Sequence, residues 1–329
     1  MIFTGKKNYG TVVNDFLVNP YISYTNLGSV QTVEGNTPSA STGIDKKKHI
    51  SLIKAYQEHL ERRRMGFANL NNIKVKAYNH VRQSEIERFS TDFGYGKSNF
   101  YGHSDTTGSA SGLCSVDIKK KALTELLEKN EMYLFWYKKL GFKVMINNDL
   151  HRLINSFAFY SERIEMFFSK NITNCVTVFV ILIANNRIQA SGVALDSDFY
   201  TAFRTALAEA YTIEWQIRNN PLSHLNNYSD KFHEGVVKYV DYLSESLSLE
   251  KPLEVSNNPD IEVDSWITSI DYHVLPGADD NLTIKCASKN LYNCLPQKKY
   301  ILSGFNRAIN QIYNIKKQDI RNTPECILL

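Results

Sequence analysis

Residues 106–129 read TTGSASGLCSVDIKKKALTELLEK, a run of small residues that gives way to a charged pattern with helical spacing. Thr106–Cys114 is rich in Gly and Ser, which marks a loop by composition. From Asp117 onward Ile118, Ala122, Leu126 and Leu127 form an apolar stripe, and the helix pattern runs to about Lys139. Within it Glu125 and Glu128 stand three apart, so their carboxylates share one helix face.

The same arrangement appears upstream. Gly35–Gly43 (GNTPSASTG) is small and polar, again a loop by composition. A helix pattern follows, roughly Lys46 to Arg64, with Ile50, Ile53, Tyr56 and Leu60 at helical spacing. It carries Glu58 and Glu61 with Arg62 directly after, just as Lys129 follows Glu128. A third instance follows Val176–Ala184, a continuous β-branched run that suits a buried strand. Asn185 and Asn186 read as a turn, Ile188–Ala190 as a short strand, and Ser191-Gly192 as the small-residue segment. The helix expected from about Ser197 to Arg218 carries Glu209 and Glu214. Ser265–Leu275 and Leu282–Ala287 alternate as strands around a turn at Pro276–Asp279, and Gly94–Lys97 reads as a loop.

Composition narrows the class. With 329 residues, 43% hydrophobic and 22% charged, the chain is an ordinary globular one with mass for a real core. A net charge of +4 gives no argument for nucleic acid or an anionic membrane. Five dispersed cysteines without a CxxC pair exclude a disulfide framework and a Cys-rich zinc site. The N-terminus has no apolar signal region, and the longest apolar run, Cys175–Ala184, is too short to span a bilayer. A reducing cytoplasm is the default expectation. Cys326–Leu329 fits a four-residue prenylation pattern, a match that is common by chance.

The sequence lacks GxxxxGK[ST], HExxH, HxxxH and GxSxG, so no Walker loop, zincin helix or nucleophile elbow is encoded. Each histidine reads as surface or core, and Met132–Tyr137 (MYLFWY) reads as core packing. No nucleophile or general base can be singled out. What remains is the paired carboxylates. Two ExxE faces brought together make an oxygen-rich negative pocket that needs a divalent cation. Mg²⁺ binds few protein carboxylates and shares phosphate oxygens. Glycine-rich turns before helices can cradle phosphate. Solvated helix faces, each glutamate paired with a Lys or Arg a turn away, account for the same spacing.

In these blocks the chain resembles the YcaO family, and within it the ATP-using subunit of azole-forming peptide synthetases of the microcin and streptolysin S type. Ser41–Gly43 leading to Glu58, Glu61 and Arg62 is similar to the family's Gly segment and E-x-x-E-R helix. Thr106–Gly112, Asp117, Ala122–Lys129 and Leu134–Trp136 resemble its S-N-G-x-A-x-G stretch, acidic helix and aromatic tail. Ala190–Ala194 with Phe203–Glu209 is similar to its third block.

The resemblance implies a mixed α+β fold, β-sheets packed by long helices around a central ATP and Mg²⁺ site. It implies an N-terminal segment 1–40, a catalytic domain 41–305 and a tail 306–329. Glu58, Glu61, Glu125 and Glu128 would hold Mg²⁺; Arg62, Thr107, Asp117, Lys129, Glu209 and Lys285 would serve ATP. The implied activity is ATP-dependent cyclodehydration of Cys, Ser or Thr in a precursor peptide. The implied partners are that peptide, a ubiquitin-activating-enzyme-like docking subunit and a flavin-dependent dehydrogenase; nucleic acid and membrane are not among them. Asp117 stands where the family has Glu, Lys129 where it has Arg, and Leu113 where it often has Asn. The ending Pro324–Leu329 lacks the Pro-rich tail of azoline-forming members. Thioamide or amidine formation, and a catalytically impaired peptide-binding scaffold, therefore stay open.

Overall fold

The computed structural model describes residues 21–328 apart from 27, 33–34, 46, 71, 220–223, 252–259 and 278–280. Lys46 of the expected first helix, Ala278 and Asp279 of the expected turn, residues 1–20 and Leu329 lie outside the described residues. The chain divides into two compact units. The first takes the described part of Met1–Lys129 with Ser265–Leu295 and Ser303–Ile312; the second takes Asn130–Asp264, Pro296–Leu302 and Tyr313–Leu329. Both mix helix and sheet, as a mixed α+β protein does.

In the first unit an antiparallel five-stranded sheet has the order Ser84–Phe89, Lys74–Asn79, Asp271–Leu275, Leu282–Ala287, Ser109–Gly112. A separate antiparallel pair joins Tyr21–Asn26 to Ala40–Asp45. The first acidic helix, Lys48–Ala68, packs against both Ala40–Asp45 and Ser109–Gly112. Met65, Ala68, Ala77, Phe93, Tyr101, Leu275 and Ala287 close the core behind it. Asp271, fully buried on the sheet, is satisfied by the Tyr101 hydroxyl and the Asn79 amide, with Arg88 at 3.4 Å.

In the second unit the order is Arg187–Asp196, Val176–Ala184, Arg163–Ser169, Phe142–Val144, Leu249–Glu250, antiparallel except for the last pair. Every residue of Val176–Ala184 is buried, as its unbroken apolar run requires. Phe179 stacks on Phe135, ring centroids 4.3 Å apart, and the helix Phe199–Asn219 covers Arg187–Asp196. The aromatic run Met132–Tyr137 is buried throughout.

Several segments differ from their sequence reading, for one physical reason. The small residues nearest each helix lie in the strands Ala40–Asp45, Ser109–Gly112 and Arg187–Asp196, whereas residues 37–39 and 106–108 are irregular, as a loop reading expects. Gly43 and Gly192 let a helix backbone approach, and Gly112 leaves room for the Ile118 side chain, which a Cβ there would meet at 3.1 Å. A Cβ on Gly43 would lie 2.2 Å from the Ser51 carbonyl oxygen, and one on Gly192 1.9 Å from that of Ala206. Gly96–Ser98, expected in a loop, pairs with Gly102–Ser104. The second acidic helix spans Ser115–Tyr133 and passes into a π-helical turn, Leu134–Lys138, ended by Lys139 at φ 60°. The expected strand from Ser265 is confined to Asp271–Leu275.

Candidate active site

The three glycine strands share a further feature. Each has a neighbour on one side only. A strand edge leaves main-chain N–H groups that must find an acceptor when buried. A helix glutamate supplies it each time. Glu58 accepts from the Thr42 N–H at 3.2 Å, Glu61 from Ser111 at 2.8 Å and Glu209 from Val193 at 2.8 Å. Because Glu58 and Glu61 sit three apart on one helix, that helix bridges the edges of two different strands.

Around this bridge the first unit collects charge. Glu61 is buried, 7% exposed, and within electrostatic reach of Glu58, Arg62 and Lys121. Burial, reinforced by Glu58, pushes its carboxyl from an ordinary 4.5 up to about 7. Glu125, on the second acidic helix, is held well above the usual carboxylate range, first by burial and then by the charge of Glu61 and Glu128. Carboxylates of two separate helices therefore lie within electrostatic reach of one another. Glu128 is half-buried and ion-paired with Lys129 at 2.8 Å. Glu58, more exposed, pairs with Arg62 at 2.6 Å, and Arg62 also donates to the Ala40 carbonyl.

The remaining expected residues divide. Asp117 is exposed, in the first turn of the second acidic helix and on the same face as Glu125. Eight residues separate them, about 12 Å of helix rise. Thr107 is buried, and its carbonyl accepts from the Lys285 ammonium. Lys285 is fully buried and donates also to the Asp105 carbonyl at 2.7 Å; Asp105 in turn accepts the Thr107 and Leu295 N–H groups. Burial lowers the Lys285 pKa, opposed by Asp105 and Glu125. Lys285 thus holds the turn that feeds the Ser109–Gly112 strand. At that turn Gly108 has φ 77°, and a Cβ there would meet the Cys286 carbonyl at 2.6 Å. Glu209 belongs to the second unit, and Glu214 pins the Tyr160 and Ser161 N–H groups at 2.9 and 2.8 Å.

One charged neighbour escapes the sequence reading. Lys121 lies on the face of Asp117, Glu125 and Glu128, in reach of both Glu61 and Glu125. Its place in the run Lys119–Lys121 reads as a solvated charge cluster until the helix register is known.

Among the described residues no three His, Cys, Asp or Glu side chains stand close enough to hold a metal by themselves. The donor set nevertheless fits Mg²⁺. It consists of hard oxygen ligands with net negative charge, one of them buried (Glu61) and one half-buried (Glu125), whose mutual repulsion a cation arriving with its own phosphate oxygens would relieve. Among the described residues no helix is long and apolar enough to cross a membrane.

No family model and no curated protein matches the chain in sequence. Solved structures do match. YcaO from Methanopyrus kandleri, bound with AMPPCP and Mg²⁺, superposes with a TM-score of 0.66 at 11% identity, over 85% of this chain and 85% of that one. The E. coli microcin synthetase McbBCD complex with pro-MccB17 bound gives 0.63 at 13% identity, over 95% and 94%. A heterocyclase in complex with substrate and cofactor gives 0.60 at 11% identity, over 85% of this chain and 48% of that one. The fold of this chain, mixed α+β with carboxylate-bearing helices laid across strand edges, is the YcaO-like fold.

Proposed function

We propose that the chain is an ATP-dependent cyclodehydratase acting on a ribosomally made precursor peptide. The observation that carries this reading is the pair Glu61 and Glu125, contributed by different helices, partly or wholly buried and within repelling distance. Such a pair costs stability unless it is protonated or a cation joins it, and carboxylates perturbed in this way concentrate at functional sites. The fold shared with a nucleotide- and Mg²⁺-bound YcaO and with a peptide-bound synthetase supports the same reading.

Glu58, Glu61, Glu125 and Glu128 would hold Mg²⁺, which when bound neutralises phosphate charge. Arg62 and Lys129 keep the outer carboxylates, Glu58 and Glu128, paired and oriented. Lys285 fixes the turn before the Ser109–Gly112 strand, whose edge faces the carboxylates. In the proposed reaction a Cys, Ser or Thr side chain of the peptide attacks the preceding carbonyl. With the thiol or hydroxyl proton lost, the resulting oxyanion takes the γ-phosphoryl group of ATP and ADP leaves; departure of phosphate together with the amide N–H proton then gives the C=N bond of a thiazoline or oxazoline. The protein contributes placement and charge balance, the usual demands of phosphoryl transfer. A docking subunit for the leader and a flavin-dependent dehydrogenase complete the proposed assembly.

Incubation with ATP, Mg²⁺ and a Cys- or Ser-bearing precursor peptide, with the docking subunit present, tests this. The expected result is phosphate release coupled to loss of one water per ring from the peptide. A mass gain of about sixteen units would reassign the product to sulfur-for-oxygen exchange by the same amide activation. Partner stabilisation without phosphate release would assign a scaffold.

A further inference from the structure

The three lysines Lys119–Lys121 open the second acidic helix and have different surroundings. Lys119 lies over the rings of Tyr78 and Tyr272, 5.1 and 4.9 Å from their centroids. Lys120 is exposed on the helix flank. Lys121 is four residues from Asp117 and four from Glu125, so all three share the stripe that continues to Glu128. Its ammonium lies within electrostatic reach of two carboxylates on different helices, Glu61 and Glu125.

Four cations thus lie around the acidic carboxylates, and three of them are engaged, Lys285 through the Asp105 and Thr107 carbonyls. Arg62 is bonded to Glu58 and to the Ala40 carbonyl. Lys129 is 8% exposed and bonded to Glu128. Lys121 is exposed, and among the described residues it makes no hydrogen bond and no ion pair. An ammonium drawn toward two carboxylates yet fixed to neither keeps all three of its donors for another anion. Phosphate oxygens held by the same carboxylates through a metal would be that anion.

We infer that Lys121 is the phosphate-binding cation of the site, donating to the phosphate chain of the nucleotide. This rests on the ATP reading above. Arg62 and Lys129 then orient the carboxylates, and Lys121 meets the ligand. The side chain is long and flexible, so the contact forms when the phosphate chain arrives.

Isothermal titration of the full chain with ATP in saturating Mg²⁺ tests it, alongside Lys121→Met and Lys121→Arg. Lys121→Met also removes a favourable charge from Glu61 and Glu125, so its unliganded melting temperature is measured alongside, and Lys121→Arg, which keeps the charge, should melt at the wild-type temperature. Lys121→Met is expected to bind MgATP about tenfold more weakly, the loss typical of one charge-assisted hydrogen bond. Lys121→Arg restores most of that affinity. If the wild type binds MgATP and Lys121→Met binds it equally well, the inference is overturned and the ATP reading stands. If the wild type itself gives no binding heat, the ATP reading has failed and Lys121 falls with it.

Discussion

The Glu61 carboxylate accepts the Ser111 main-chain N–H at 2.8 Å, tying the first acidic helix to the edge of the Ser109–Gly112 strand. Glu61 therefore has two duties, one as an acceptor and one as a charge. Substitution separates them. Glu61→Gln keeps an oxygen for the Ser111 N–H and removes the buried charge, so at neutral pH the unliganded protein should unfold at or above the wild-type temperature. Stabilisation by Mg²⁺ with ATP should be lost. Glu61→Ala loses the acceptor as well and should destabilise by about 1–3 kcal/mol, the cost of an orphaned buried donor. Urea titration of both variants checks this.

The raised Glu61 pKa fixes the sign of a pH effect. The folded state binds the proton more tightly than the unfolded chain, so unfolding stability falls as pH rises from 4.5 to about 7 and then levels. Below 4.5 both states are protonated and this cost vanishes. Glu125, shifted the same way, adds to the effect. Melting temperatures measured across this window should decline in the wild type and decline less in Glu61→Gln. A wild-type curve that rises through the window would contradict the burial assigned to these carboxylates.

Gly43 and Gly192 allow the close approach of a helix in each unit. Alanine at either position places a methyl carbon 2.2 or 1.9 Å from a helix carbonyl oxygen, far inside van der Waals contact. The helix must move away. Each Gly→Ala variant should lose about 3 kcal/mol, the upper range for overpacking. Denaturant titration reads the loss, and wild-type stability in either variant would show that the glycine is not needed for packing.

Lys285 is bonded to two main-chain carbonyls and is fully buried. Lys285→Met leaves both carbonyls without that donor and should cost about 2 kcal/mol of unliganded stability. A purely nucleotide-contacting lysine would instead leave unliganded stability untouched while ATP affinity fell. Thermal unfolding without ligand distinguishes the two.

Much of this was legible in the sequence, for identifiable reasons. The acidic helices carry helical spacing and Val176–Ala184 an unbroken apolar run, and the structure holds all of them. The ExxE spacing alone put Glu58 with Glu61 and Glu125 with Glu128. What local pattern cannot carry is why a residue is small. Gly43 and Gly192 look like turn residues, and their partners are the backbones of helices packed across the strand, a tertiary relationship. Lys121 was hidden in a lysine run because only the helix register separates its face from that of Lys119. Lys285 carried a signal only through the resemblance, and its main-chain partners lie about 180 residues away in sequence, beyond any local rule.

The central claim is that carboxylates from two helices form one metal–triphosphate centre. Its most direct measurement is the melting temperature with Mg²⁺ and ATP, compared with either alone, in wild type, Glu58→Gln and Glu125→Gln. The expected result is a rise that needs both ligands in the wild type and is absent in both variants. An equal rise in all three proteins, or none in the wild type, would contradict the claim.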